Sequence, residues 1–124
     1  MLKYDSLVKN LGIGIDIVDI QRFRKLPYES NKLFYKKIFS SSEIKYCLAH
    51  YNASQHFAGK FAIKEAVKKS ISKRLRMLDI VTSHTMSKPN VTLRRNLSYN
   101  FLVSLSHDSN VAVAVVIAEK IMIK

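Results

Sequence analysis

Cysteine is almost absent from this sequence: Cys47 stands alone among 124 residues. An internal disulfide is therefore excluded, and so is a zinc cage built from thiolates. Such usage suits a reducing compartment, and Cys47 reads as a small buried apolar residue. Glycine and proline are scarce too, at three and two residues. No stretch has the composition of a linker or a low-complexity tract, and no internal repeat occurs, so the chain reads as one domain. A long hydrophobic run is missing. The longest, Val111 to Ala118, is far too short to cross a bilayer as a helix. Lys3 and Asp5 mark the N-terminus, and Asp16 and Asp19 interrupt the first apolar stretch. No export signal is visible, and a soluble cytoplasmic protein without membrane insertion is expected. Acidic residues are few: nine Asp and Glu against 21 Lys and Arg give a formal net charge of +12. That excess calls for an anionic partner. Nucleic acid, an anionic membrane surface, an acidic protein and a phosphorylated cofactor all satisfy it. Hydrophobic residues make up 48%, enough for a modest core and too many for a disordered chain.

Three regions follow along the chain. Leu11 to Val18 is short, apolar and β-branched, which predicts a strand. Alternation puts Ile13, Ile15 and Ile17 on one face and Gly14, Asp16 and Val18 on the other. A helical region comes next. Asp19 to Leu26 forms a short basic helix ended by Pro27, and Ser42 with Glu43 opens another, without a capping box because position 45 is Lys. A long helix is predicted from Ser54 to about Leu75. In it Phe57, Phe61 and Glu65 repeat every four residues beside Ala58 and Ala62, and Lys60, Lys64 and Lys68 form another row. The last region is sheet. Asp79 to His84 and Asn90 to Leu93 are joined around Met86 to Pro89. Phe101 to Ser106 and Val111 to Ala118 form a hairpin with His107 to Asn110 in the turn. Helices followed by antiparallel strands give an α+β domain.

Three residues stand out chemically. Asp16 is a lone carboxylate inside an apolar strand. It needs a partner or a metal unless the strand lies at an edge with Asp16 facing water. Gly14, on the same face, either clears space for a ligand or marks a bulge. Glu65 is the only acid between Phe57 and Arg76. It pairs with Lys69 on a helix surface, or it joins Asp16; two carboxylates plus a substrate phosphate make a Mg²⁺ site. His107 sits where a strand runs into a turn, reachable by a ligand and titrating near neutrality, or simply a turn residue. His50, His56 and His84 have no ligand-like spacing and read as structural. Ser104 and Ser106 lack the glycines of a nucleophile elbow. The Gly-x-Gly at Gly12 and Gly14 has no third glycine and is not a dinucleotide fingerprint. Arg22, Arg24 and Lys25 form a docking face or a solvated one.

Three blocks resemble the holo-acyl-carrier-protein synthase family of 4′-phosphopantetheinyl transferases. They are Gly12-Ile-Gly-Ile-Asp-Ile-Val-Asp-Ile-Gln-Arg-Phe, Phe57-Ala-Gly-Lys-Phe-Ala-Ile-Lys-Glu-Ala-Val-Lys-Lys, and Val103-Ser-Leu-Ser-His-Asp before an Ala- and Val-rich strand. Ser87-Lys88-Pro89 is similar to the family's Gly-Lys-Pro turn. The second block is the most specific. The resemblance implies an antiparallel sheet packed on a long helix, a homotrimer with active sites at subunit interfaces, and residues 12–124 as the transferase domain behind a short extension over 1–11. It implies Mg²⁺-dependent transfer of 4′-phosphopantetheine from coenzyme A to a serine of an acidic apo-acyl carrier protein, releasing 3′,5′-ADP, in fatty acid biosynthesis. Asp16 and Glu65 match the metal ligands and Lys69 the lysine beside the reacting phosphate. Lys60 stands near the 3′-phosphate, with Lys88, Pro89, Ser106 and His107 on the nucleotide. Arg22, Phe34 and Lys37 match the carrier-docking surface. Two departures are Lys73-Arg-Leu-Arg-Met-Leu in place of a glycine-rich loop and Ser87 in place of glycine.

The competing class is a small basic nucleic-acid-binding protein, supported by the charge and by six tyrosines and six phenylalanines. Most of these aromatics fall at core spacing, and that reading leaves Asp16, Glu65 and His107 without a common purpose.

Overall fold

A computed structural model describes residues 8–95 and 98–121. Residues 1–7, most of the expected N-terminal extension, lie outside the described residues. The first strand, β1 (Leu11–Asp19), pairs antiparallel with β5 (Val111–Lys120), and β5 pairs antiparallel with β4 (Tyr99–His107). The sheet order is therefore β1-β5-β4, with β1 at one edge. A separate antiparallel pair consists of β2 (Ile80–Thr85) and β3 (Lys88–Leu93). Between β1 and β2 run four helices: α1 (Gln21–Arg24), α2 (Lys32–Ile38), α3 (Ser41–Leu48) and α4 (Ala53–Ser70). None of the described helices is long and apolar enough to cross a membrane.

The alternation read from β1 sorts its faces as expected. Val18 is buried under α4, whereas Ile13, Ile15 and Ile17 are 67%, 58% and 65% exposed on the outer face. The inner face is built from small residues. Ala112, Ala114, Val116 and Ala118 of β5 are buried with Ala58, Ala62, Ala66 and Val67 of α4. Small side chains on both surfaces let the helix lie close to the sheet. At β1 the approach is closer still. A Cβ placed on Gly14 would stand 1.9 Å from the carbonyl oxygen of Ala66, and one on Gly12 1.8 Å from that of Ser70. Gly14 is thus a site of backbone contact, not a bulge.

Beyond the sheet, Phe23 of α1 holds the short helices to α4. Its ring lies 6.0 Å from Tyr35, 6.3 Å from Phe39, 5.6 Å from Phe61 and 6.4 Å from Phe57. Phe23, Tyr35, Phe39 and Phe57 are all buried. A charged network lies beside this cluster. Lys64 of α4 and Glu43 of α3 form a fully buried ion pair at 2.7 Å. Glu43 also accepts from the Ser40 and Thr82 amides and the Thr82 hydroxyl, while Lys64 donates to the Ile38 and Met77 carbonyls. Burial raises the Glu43 pKa, but Lys64 and the two amides outweigh it and hold the carboxyl below its ordinary value of 4.5. Lys64 is pushed down by burial, which its bond to Glu43 opposes. We take the pair as ionised, because every oxygen of Glu43 faces a donor and Lys64 has three acceptors.

Several boundaries differ from the sequence reading. The helix expected from Ser42 starts at Ser41. Ser40 is its cap and Glu43 closes a capping box, because the hydroxyl three residues before Glu43 is the one that reaches its amide. The long helix stops at Ser70, not near Leu75. There the Ser70 hydroxyl bonds the Val67 carbonyl and Ile71 turns extended. The basic helix expected over 19–26 is a single turn that Asp19 opens by accepting from the Gln21 amide. His107 closes β4 opposite Ala112 instead of lying in the turn. Of the lysine row, Lys60 and Lys64 are buried and Lys68 is half-buried. Cys47 is fully buried, and burial pushes its thiol up to about 12.

Two stability outcomes follow. Gly14→Ala should cost at least about 3 kcal/mol, since backbone carbonyls cannot move aside as a side chain can; thermal unfolding measures it. Lys64→Met should cost about 3–5 kcal/mol by stranding the buried Glu43 carboxylate. In the unaltered protein, Glu43 has a depressed folded pKa. Its contribution is full above the ordinary 4.5 and is lost as pH falls through the folded value. Denaturant titrations across acid pH should show that loss, and Lys64→Met should flatten it.

Candidate active site

Because β1 is seated on α4 by its glycines, Asp16 faces the helix. Its side chain is only 16% exposed, and its Oδ1 accepts from Lys69 Nζ at 3.0 Å. Lys69 also donates to the Ile15 carbonyl at 3.1 Å. Asp16 is therefore an edge-strand residue that faces a partner instead of open water. Glu65 lies one helical turn before Lys69, on the same row. It makes no ion pair among the described residues, so the alternative Glu65–Lys69 surface pair does not form. Phe61 is one turn earlier again, and the Arg22 guanidinium sits 5.0 Å above its ring. Phe34 packs against Phe23 and Tyr35 in the same neighbourhood, while Lys37 of α2 is exposed. One row of α4 thus carries, in order, an aromatic cushion for Arg22, a free carboxylate, and a lysine holding a second carboxylate.

The donor chemistry of this row suits Mg²⁺. Asp16 and Glu65 offer hard carboxylate oxygens, and Mg²⁺ asks the protein for only one or two carboxylates beside substrate oxygens and water. No group of three or more His, Cys, Asp or Glu side chains among the described residues is arranged to hold a metal ion by itself. The Asp16–Lys69 pair is half open on the lysine side and adds little to stability. Its value is positional.

His107 belongs to a second place. Its Nε2 lies 3.2 Å from the Gln55 side-chain nitrogen near the start of α4. It borders a cavity of about 280 Å³ whose walls include Lys60, Pro89, Ser87, Gln55 and Leu105. Lys60 is buried at the wall of this cavity, donates to the Thr82 hydroxyl at 2.8 Å and lies 4.7 Å from the Tyr46 ring centre. Burial depresses its pKa. Asp16, Glu65 and Lys69 lie outside this cavity. Lys60 and Glu65 are five residues apart, which is roughly 140° around an α-helix. In a single chain the carboxylate row and the histidine cavity therefore open on different sides of α4. Ser106 joins neither: its neighbour His107 takes the inner face, so Ser106 projects from the outer face opposite Val113. Lys88 is exposed at the start of β3.

The sequence reading treated His50, His56 and His84 as structural. The structure instead gathers them near His107. The His50 and His56 rings are 3.9 Å apart, and His84 stacks on Tyr46 at 4.4 Å. His56 and His84 line the cavity with His107. Burial, then the neighbouring imidazoles, lower His56 to about 4, so it is neutral at physiological pH. No linear spacing could have shown this, because the turn after α3, α4, β2 and β4 each contribute to the group.

Comparison with known proteins gives the family of the chain. A family model described as the 4′-phosphopantetheinyl transferase superfamily matches residues 12–116. The holo-[acyl-carrier-protein] synthase of Geobacter sulfurreducens is 40% identical over 123 residues, covering 88% of this chain and 97% of the relative. That of Ehrlichia ruminantium (strain Welgevonden) is 39% identical over 119 residues, covering 89% and 97%. Among solved structures, Helicobacter pylori holo-[acyl-carrier-protein] synthase in complex with coenzyme A superposes with TM-score 0.71 at 34% identity, covering 86% of this chain and 99% of that one. The Bacillus anthracis enzyme in complex with CoA (3′,5′-ADP) gives 0.75 at 28%, covering 88% and 96%. The chain belongs to the holo-acyl-carrier-protein synthase family of 4′-phosphopantetheinyl transferases.

Proposed function

We propose that this protein transfers 4′-phosphopantetheine from coenzyme A to a serine of an apo-acyl carrier protein, with Mg²⁺, in fatty acid biosynthesis in the cytoplasm. The observation that carries the reading is the row of Glu65 and Lys69 on α4, with Asp16 brought to Lys69 by β1. Asp16 and Glu65 would hold the metal. When bound, Mg²⁺ supplies Lewis-acid charge at the pyrophosphate. Lys69, held beside Asp16, would stabilise negative charge as it develops on the phosphoryl group. The serine hydroxyl of the carrier attacks phosphorus, and its proton passes to Glu65, directly or through one water. A P–O bond forms to serine, and the bond to 3′,5′-ADP breaks with its electron pair leaving on the nucleotide. Arg22, held over Phe61 one turn from Glu65, Phe34 and Lys37 receive the acidic carrier beside the reacting centre. The cavity with Lys60, Pro89 and His107 receives the 3′-phosphate end of coenzyme A, with exposed Lys88 next to Pro89 along the chain and Ser106 contributed from a neighbouring chain.

The separation of the two half-sites around α4 favours a shared site in a homotrimer. Asp16 lies on the β1 edge and His107 on β4, the opposite side of the three-stranded sheet. A closed ring of head-to-tail contacts would bring one side of a chain against the other side of the next. The outer sheet face has the character of such a contact, with Ile13, Ile15, Ile17, Leu102 and Ile117 exposed together.

Asp16→Asn and Glu65→Gln should each lower kcat by at least about a hundredfold while leaving thermal unfolding near that of the unaltered protein. The assay is the phosphopantetheine mass gain on carrier protein, and Mg²⁺-dependent turnover retained by either variant would refute the shared metal site. Asp16→Ala and His107→Ala proteins should be inactive apart and recover about a quarter of the sites when co-refolded in equal amounts, since each half of a site is intact with even odds. Native mass spectrometry must show mixed trimers. Mixed trimers without turnover would place both residues in one chain's site.

A further inference from the structure

A groove beside α2 and α3 belongs to neither half-site. It is open, has a volume of about 810 Å³, and has Tyr28, Leu48 and Leu78 among its apolar walls. Its cations are Lys36, Lys45 and Arg94, all exposed, and no Asp or Glu lines it among the described residues. None of the three cations has an ion-pair partner among the described residues. Leu48 is 43% exposed beside them. An occupant must therefore be acidic, and apolar on the side it turns to the walls. A free acyl anion has that chemistry, but small-molecule sites enclose most of their ligand, and so open a groove would leave much of it wet. A protein segment brings its own second face.

The helix α2 says which protein. Lys36 lines the groove, and Lys37, the next residue, lies on the surface that receives the carrier. Leu33 is one turn before both of them and is 78% exposed. The buried Tyr35 ring backs the two surfaces together: it lies 5.4 Å from Phe34 on the carrier side and 5.5 Å from Tyr28 on the groove side. A partner that covers Lys37 and Leu33 therefore comes up to Lys36 and the groove. We propose that the groove is a second part of the carrier-docking surface and takes an acidic amphipathic segment of the carrier protein. The inference rests on the reading of Arg22, Phe34 and Lys37 as the first part. Lys36, Lys45 and Arg94 speed and orient the encounter. Leu33 and Leu48 supply apolar contact between the charges once water is excluded.

Transfer kinetics, with carrier protein and coenzyme A varied in turn, test this. No transfer by the unaltered protein would remove the reading beneath the inference, whatever the groove does. Lys45→Glu and Arg94→Glu should each raise KM for the carrier about fivefold at low salt and less at about 1 M, with kcat and KM for coenzyme A unchanged. Leu48→Ser alters no charge and should raise the carrier KM about threefold at either salt. Lys120→Glu makes the same charge change on β5, outside the groove, and should leave the carrier KM unchanged. An unchanged carrier KM in both Lys45→Glu and Leu48→Ser would overturn the proposal. So would an equal rise in Lys120→Glu, which would trace the effect to net charge alone. A binding readout needs no variant: the Leu48 and Leu78 methyl resonances should shift with apo-carrier protein and stay in place with palmitate or phosphatidylglycerol vesicles. Shifts with either lipid and none with the carrier would give the groove to an acyl anion and overturn the proposal.

Discussion

At Gly12 and Gly14 the backbone of β1 lies against the Ser70 and Ala66 carbonyls of α4 with no room for a β-carbon. Much of the carboxylate row depends on that contact. It sets the depth at which β1 sits, and so the height at which Asp16 meets Lys69. A side chain at either glycine would lift the strand, and lifting it by even one or two ångströms would take the carboxylate out of hydrogen-bond range. Transfer chemistry of this kind relies on positioned charge more than on a reactive side chain. The glycines thus set the geometry of the Asp16–Lys69 pair.

The buried network of Glu43, Lys64, Thr82 and Lys60 does for the cavity what the glycines do for the carboxylate row. It ties α3 to α4 and α4 to β2, and it ends at Lys60, whose ammonium reaches the cavity wall. An apolar substitute could fill the same volume at comparable stability. It could not leave a cation at the end of the chain of bonds. Two lysines of one helical row are therefore spent differently. Lys64 neutralises a carboxylate inside the protein, while Lys60 gives one of its three donors to Thr82 and lines the cavity.

Much of this was legible in the residues. The alternation of β1, the acid in its apolar run and the acid on a basic helix all pointed to the carboxylate row, because strand and helix periods are local properties. The motif blocks located the family. The rest was not local. That Lys60 and Lys64 are buried could not be read from their spacing, since Glu43 and Thr82, which make burial tolerable, lie about twenty residues away on either side. The histidines near the cavity are scattered from position 50 to 107 and meet only because four elements converge. The end of α4 at Ser70 was missed for a different reason. A serine that bonds back to its own helix leaves no strong stop signal, and the lysines and leucine beyond it read as good helix formers.

The order of strands has a further consequence, for the ribosome rather than for the enzyme. β1 is among the first segments to be synthesised, yet its sheet partner among the described residues, β5, begins at residue 111. Closing that pair joins ends of a loop some ninety residues long, which costs chain entropy that no local contact repays. Until then β1 has an apolar isoleucine face, an unpaired edge and only its contacts with α4 to hold it. The sheet support for Asp16 is therefore complete only when the last strand is made. A chain that lacks β5 lacks the strand beside which Asp16 sits, opposite Ala114. The three-stranded sheet closes in a late step, when its last strand is laid beside its first.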